Sequence, residues 1–258
     1  MKKKIIDLAV TANISLNDNY VLIKATSPTA LPKCEPGQFA QLRVDGSSTT
    51  FLRRPISINW IDTSRNEVWF LIQKVGDGTN QLSTYKIGDK LNVVLPLGNT
   101  FSLPLCSTKR PLLVGGGVGV APMLCLGKKL KEHGFDPIFL LGARSKRDLL
   151  QLEDFEALGT VYTTTEDDSH GEKGYVTNHS LLNQLEFCQI YSCGPKPMME
   201  AVASYARRTK TACEVSLENT MACGFGACLC CVEKTTKGHI CACTDGPVFN
   251  INDLLWEN

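Results

Sequence analysis

The chain has 258 residues, 43% of them hydrophobic and 21% charged, with a formal net charge of +1. That length suits two or three domains rather than one core. With no basic tract beyond the starting "MKKK", the charge gives no electrostatic case for nucleic acid or an anionic membrane.

The start does not read as a signal peptide, because Asp7 interrupts the apolar stretch and no small-residue cleavage site follows. Nor does "PLLVGGGVGVAPMLCLG" read as a membrane span, being too short and too rich in glycine. A cytoplasmic protein is expected.

From residue 1 to 104 short β-type runs alternate with turns. "YVLIKATS", "GQFAQLRV", "EVWFLIQKV" and "DKLNVVLP" are separated by "CEPGQ", "VDGSS", "IDTSRN" and "YKIGD", a spacing that predicts an antiparallel β-barrel or sandwich. Two polar interruptions stand out, "FLRRPISI" and "KVGDGTNQLS". Arg54 suits a pyrophosphate, and Gly78 and Thr79 offer backbone and hydroxyl donors; plain loops are the competing reading.

From 105 to 210 the period changes. "PLLVG", "PIFLLGA" and "QIYSCG" read as buried strands, "APMLCLGKKLKEHG" as a helix ended by Gly134, and "KPMMEAVASYARRTK" as an amphipathic helix with its cations in the last turn. Such alternation predicts an α/β domain with a parallel, doubly wound sheet. After the first strand, Gly115, Gly116, Gly117 and Gly119 precede Pro122 at a plausible first helical position, an arrangement that cradles phosphate at a helix N-terminus. It departs from the strict G-x-G-x-x-G pattern, and a merely structural turn is the alternative. Cys193, Gly194 and Pro195 end a second strand at the same sheet edge, and Arg144 with Ser145 ends a third, placed for an adenosine ribose or its phosphate.

Residues 211–258 read as a separate cysteine-rich unit. Of 12 cysteines in the chain, six fall between Cys223 and Cys243. In a reducing compartment this density points to metal rather than disulfides, whereas Cys34, Cys106, Cys125, Cys188 and Cys213 read as small buried hydrophobes. Cys223, Cys228 and Cys231 have the C-x4-C-x2-C spacing of plant-type [2Fe–2S] proteins, with Gly224, Gly226 and Ala227 letting the loop curl and aim N–H groups at sulfur. Cys243 or Cys241 would complete the set, and Cys230 should point away. Zinc and unligated thiols are the alternatives. The four histidines, His133, His170, His179 and His239, form no constellation and read as surface or structural.

"RRPIS", "GTNQLS", "PLGNTF", "GGGVGVAP", "YSCGPKPMM" and "MACGFGACLCC…CTDGPVF" follow one another over nearly the full length. Together they resemble the ferredoxin-reductase-type flavoproteins, and most closely the electron-transfer subunits of type B dihydroorotate dehydrogenases. The resemblance implies a three-domain protein: an FAD-binding β-barrel (1–104), an NAD-binding α/β domain (105–210) and a small [2Fe–2S] domain (211–258). It implies that Arg54, Pro55, Ile56 and Ser57 line the flavin, with Leu71, Ile72 and Gln73 along it and Gly78 and Thr79 at its phosphates. Ile56 stands where the wider superfamily carries tyrosine, as in the narrower subunit pattern. "CTDGPVF" selects Cys243 as fourth ligand.

The implied activity is oxidoreductase electron transfer in pyrimidine biosynthesis. Electrons pass between NAD(H) and a catalytic FMN subunit that oxidises dihydroorotate, in a heterotetramer of two of each chain. No acid–base pair is needed for hydride transfer to a flavin. The competing readings are a subunit of an NAD(P)H-dependent ferredoxin oxidoreductase or sulfhydrogenase complex, and a zinc-stabilised nucleotide-binding regulator without electron transfer.

Overall fold

A computed structural model describes residues 3–106 and 108–256; the first two residues of "MKKK" lie outside these. The N-terminal part runs β1 (Lys4–Asn17), β2 (Tyr20–Thr26), β3 (Phe39–Leu42), β4 (Arg54–Ser57), β5 (Trp60–Asp62), β6 (Glu67–Gln73), α1 (Asp77–Ser83) and β7 (Lys90–Leu97). Its strands form a seven-stranded antiparallel sheet, β4-β3-β7-β1-β2-β6-β5. The sheet curls until β4, at one end, lies against β6 near the other.

Two-residue alternation decides what each strand buries. Val21, Ile23 and Ala25 of β2, Ala40 and Leu42 of β3, and Val68, Phe70 and Ile72 of β6 fill the interior of this half-barrel. Their neighbours Tyr20, Leu22 and Leu71 face outward, onto the next layer of the molecule.

That layer contains β8 (Arg110–Gly116), α2 (Val120–Glu132), β9 (Ile138–Ala143), α3 (Leu152–Glu156), β10 (Thr160–Thr165), β11 (Glu172–Lys173), α4 (Leu181–Gln184), β12 (Phe187–Cys193), α5 (Lys196–Thr209) and β13 (Ala212–Ser216). The strands β11-β10-β9-β8-β12-β13 are parallel. Both faces are covered, as a doubly wound sheet requires. Leu113, Phe139, Leu141 and Tyr191 pack with α2 and Phe155 of α3, whereas Leu112, Val114, Ile138, Leu140 and Ile190 pack with Met199, Val202 and Ala206 of α5.

The last elements are the hairpin β14 (Val232–Thr235) and β15 (Gly238–Cys241), then β16 (Val248–Asn250). Here the structure departs from the expected division. β13 hydrogen-bonds β12, and β16 returns to pair antiparallel with β13, so the parallel sheet extends past residue 210 and closes on an edge from the cysteine-rich segment. That segment leaves the sheet after β13 and returns to it at β16. β13 buries Cys213 and Val215 under α5, which ties it to the sheet.

Other departures are local. β1 was not anticipated; its exposed positions dilute the apolar pattern. The stretch read as a polar interruption forms α1, a helix of seven residues. Pro122 is the third residue of α2, where its missing N–H costs nothing because the first four are unpaired in any helix. Cys106 is exposed, and Cys34 and Cys188 half-buried, leaving Cys125 and Cys213 as the buried pair among the five scattered thiols. Among the described residues no helix is long and apolar enough to cross a membrane.

Candidate functional site

A cavity of about 680 Å³ opens at the carboxyl edge of the parallel sheet, against the half-barrel. Gly116, Gly117, Gly119, Arg144, Gly194 and Pro195 line it, with Gln73 arriving from β6. Gly115 and Cys193 lie just behind, paired across β8 and β12. The two sheet-edge turns interlock closely. A Cβ on Gly119 would sit 2.4 Å from the Cys193 carbonyl oxygen, so only glycine lets α2 start this near to β12.

The sequence reading missed the residues that finish the cavity: Tyr20 from β2, Glu166 after β10, Tyr175, Met198 from α5 and Glu218 after β13. Tyr20 carries its hydroxyl over the glycine turn, where a Cβ on Gly117 would lie 3.6 Å away. Burial raises the pKa of its phenol, as do Asp148 and Glu218 nearby, against the pull of Arg144. Burial likewise raises the Glu218 carboxyl above its usual range. A single Tyr or Glu carries no local signal; Glu166 alone is signalled, standing where a strand ends in "TTTEDD".

A seam runs along the half-barrel where β4 comes against β6. β4 pairs only with β3, and β5 pairs with Glu67–Trp69 of β6 but no farther along it, so the outer backbone edges of Arg54–Ser57 and of Leu71–Gln73 have no strand partner. Ile72 turns its side chain into the barrel core, so only its backbone is offered to the seam. Arg54 packs over Gly78, whose Cβ would lie 3.1 Å from Arg54 Cδ, and Arg54 Nε is buried without a partner. Thr79 differs from expectation. Its hydroxyl accepts from the N–H groups of Val75 and Gly76 and donates to the Gly76 carbonyl, so it holds the turn instead of facing a ligand.

The cysteine loop spans β13 to β14. Each sulfur of the expected set accepts at least one backbone N–H: Cys223 from Phe225 (3.5 Å), Cys228 from Cys230 (3.5 Å), Cys231 from Cys243 (3.4 Å) and Cys243 from Gly226 (3.2 Å). Among the described residues the sulfurs of Cys230 and Cys241 accept none; the Cys241 N–H donates instead to Asp245. Burial raises the Cys223 thiol, but N–H groups of Phe225, Cys228 and Ala227 and the Cys228 thiol outweigh it, lowering it to about 6. Burial and the adjoining Cys231 thiol raise Cys243 to about 12. Among the described residues no three His, Cys, Asp or Glu side chains converge as one metal ion would need. The Cys223 thiol lies beside that of Cys228, and the Cys231 thiol beside that of Cys243. Four thiolates, two on each of two irons, are the donor set that a [2Fe–2S] centre takes. Cys241 also touches Cys231, as a fifth thiol.

The three parts are stitched together. Asn59 Nδ2 donates to the Ala121 carbonyl at 3.3 Å and Lys128 to the Ile61 carbonyl at 2.7 Å, fixing half-barrel to α2. Asn99 Nδ2 donates to the carbonyls of Asp245 (2.7 Å) and Val248 (2.8 Å), and its Oδ1 accepts the Val248 N–H (2.9 Å).

Known proteins resemble the chain throughout. Residues 218–255 match the family described as the iron-sulfur cluster binding domain of dihydroorotate dehydrogenase B, and 113–204 the oxidoreductase NAD-binding domain. The dihydroorotate dehydrogenase B (NAD(+)) electron transfer subunit of Shouchella clausii is 40% identical over 228 residues, 86% of either chain. That of Fusobacterium nucleatum is 36% identical over 261 residues, 98% of this chain and 100% of its own. Among solved structures, an NADH-dependent reduced ferredoxin–NADP oxidoreductase chain superposes with a TM-score of 0.87 at 30% identity, over 96% of this chain and 90% of that one. With two such relatives aligned over most of its length, and the half-barrel, parallel sheet and cysteine loop in the matching order, the chain belongs to the family of dihydroorotate dehydrogenase B electron transfer subunits.

Proposed function

We propose that Cys223, Cys228, Cys231 and Cys243 hold the [2Fe–2S] cluster, that the β4–β6 seam holds FAD, and that the cavity at the glycine turn holds NAD(H). The protein is an oxidoreductase component, the electron transfer subunit of an NAD-dependent dihydroorotate dehydrogenase working in pyrimidine biosynthesis. The observation that carries the ligand assignment is that each of those four sulfurs accepts a backbone N–H whereas, among the described residues, those of Cys230 and Cys241 accept none.

A bound FAD would supply the exchange between two-electron chemistry with NAD(H) and the one-electron chemistry of an iron–sulfur cluster. The chain's own residues bind and orient. Arg54 supplies a cation beside Gly78, the edges of β4 and β6 offer backbone donors and acceptors, and Gln73 stands at the border of seam and cavity. The turn Gly115–Gly119 receives the dinucleotide phosphates at the start of α2, and Arg144 and Glu166 flank the adenosine end. Tyr20 and Glu218 close the cavity toward the half-barrel.

In this reading flavin occupies residues 1–104, nicotinamide nucleotide the sheet of residues 105–210 extended by β13 and β16, and iron the loop between those two strands. The partner is the catalytic FMN subunit, in a heterotetramer of two of each chain, within the cytoplasm. It docks where Cys228 is exposed, beside the exposed apolar side chains Phe225 and Leu229.

A second reading, a subunit of a ferredoxin–NAD(P)H oxidoreductase complex, is favoured by the superposition at TM-score 0.87. NADH-dependent reduction of orotate by the complex purified anaerobically through this chain decides between them. Orotate consumption supports the dehydrogenase; flavin bleaching without orotate turnover supports the second reading. Serine at Cys243 should reduce bound iron, whereas serine at Cys241 should retain it; the reverse result would overturn the ligand set.

A further inference from the structure

Among the described residues Gln41 alone has two buried side-chain polar atoms without a partner, and none of the roles above uses it. It is fully buried (0% exposed), and neither its Nε2 nor its Oε1 has a hydrogen-bond partner. An unsatisfied buried amide costs about 1–3 kcal/mol for each polar atom, so an apolar residue would be cheaper here if packing were the only demand.

Its position is well determined. On β3 the side chains of Ala40 and Leu42 point into the half-barrel, and strand alternation turns Phe39 and Gln41 to the outer face. There Phe39 joins Val94 and Leu97 beneath Cys231, Ala242 and Cys243. Gln41 lies under the other end of the same loop. A Cβ on Gly224, next to Cys223, would fall 2.8 Å from Gln41 Nε2. Across the ladder Gln41 pairs with Pro55, in the strand assigned to the flavin. Arg53, half-buried, donates to the Gln41 carbonyl at 3.2 Å and to the Asn92 carbonyl at 3.1 Å, which clamps β3 to β7. The amide is therefore held by a rigid strand and aimed at the underside of the cysteine loop.

We infer that Gln41 is a positioning residue for the iron–sulfur centre, its side-chain N–H donating to a cluster sulfur on the Cys223 side and raising the cluster's reduction potential. The inference rests on the four-cysteine reading. A reduced cluster carries more negative charge on sulfur, so an N–H directed there favours the reduced form. The donor comes from the strand that borders the flavin strand, so one short piece of backbone fixes both redox sites relative to each other.

The test uses the anaerobically purified complex with Gln41→Met, which keeps length and volume without a donor, and Gln41→Glu, which keeps shape and replaces the donor by an acceptor. Iron and acid-labile sulfide are counted, and the cluster's electron paramagnetic resonance signal is followed through a potentiometric titration. At the midpoint of the unaltered protein, the reduced-to-oxidised ratio should fall about tenfold in Gln41→Met, equivalent to ~59 mV for one electron. It should fall further in Gln41→Glu. An exchangeable-proton coupling seen by electron–nuclear double resonance should disappear from both. Full iron with unchanged ratio and coupling overturns the inference. Loss of iron from both variants with flavin retained also overturns it, assigning Gln41 a purely structural part. Failure of the four-cysteine reading shows separately, as an unaltered protein lacking two irons and two sulfides per chain.

Discussion

Replacing Asn99 by alanine should loosen the cysteine loop from the half-barrel. The Asn99 side chain makes three hydrogen bonds, two donated to the carbonyls of Asp245 and Val248 and one accepted from the Val248 N–H. At about 0.5–1.5 kcal/mol each, and with water replacing the bond nearest the surface, the loss should be about 2–3 kcal/mol. For a chain of this length that is a fall of roughly 4–12 °C in melting temperature. Asn99→Asp is the sharper variant. It keeps the acceptor for Val248 but sets a carboxylate against two carbonyl oxygens, so it should melt below Asn99→Ala. The assay is anaerobic thermal unfolding followed through the visible absorbance of the cluster and, separately, through far-ultraviolet circular dichroism. The cluster signal should move at least as far as the backbone signal, because Asp245 is two residues from Cys243. A shift under about 1 °C in Asn99→Ala, or an aspartate variant more stable than the alanine one, would refute the reasoning.

Gly119→Ala should drive its methyl into the Cys193–Gly194 backbone, 2.4–2.5 Å away, and separate the two turns that frame the cavity. Overpacking of this kind costs about 1–3 kcal/mol, so NADH affinity measured by calorimetry should fall about tenfold while iron content stays constant. Glu218 has its carboxyl pKa raised by burial, so the folded state holds a proton that the unfolded chain releases first. Its contribution to stability is therefore greatest in acid and is lost as pH rises from the ordinary carboxylate range through the folded value. Glu218→Gln should melt higher than the unaltered protein at pH 8 and show little difference at pH 4; equal differences at the two pH values would contradict the burial argument.

Much of the fold was legible because period and punctuation agree along the chain. The stretch 111–115 is apolar, ends in glycine and is followed by an amphipathic helix, so β8 and α2 could be read directly. The same clarity holds for β9, β12 and α5. β16 was not legible, since three residues carry no period and their pairing with β13 is a tertiary event. α1 was hidden because its first turn contains Gly78 between polar residues, and its hydrogen bonds depend on the turn that Thr79 holds.

For the candidate site, spacing drew attention to Cys223, Cys228 and Cys231 because a tight loop constrains local sequence. The distinction between Cys241 and Cys243 lies in which sulfur the Gly226 N–H reaches, which no spacing encodes. Tyr20 and Gln41 come from strands whose outward positions look like ordinary surface until another layer covers them. Ile72 shows the converse: a motif position whose side chain belongs to the core and whose backbone alone is left for a ligand.

The pairing of β16 with β13 bears on the chain entropy of the cysteine loop. The cysteine loop leaves the sheet at the end of one strand and comes back on its immediate neighbour, so its two ends are tethered a strand apart by the nucleotide fold itself. Closing a loop whose ends are already held costs far less chain entropy than ordering a free tail. Pairing of the two strands thus confines Cys223 and Cys243 to a smaller volume than a free tail would allow, and the cost of gathering the thiols is met by the sheet.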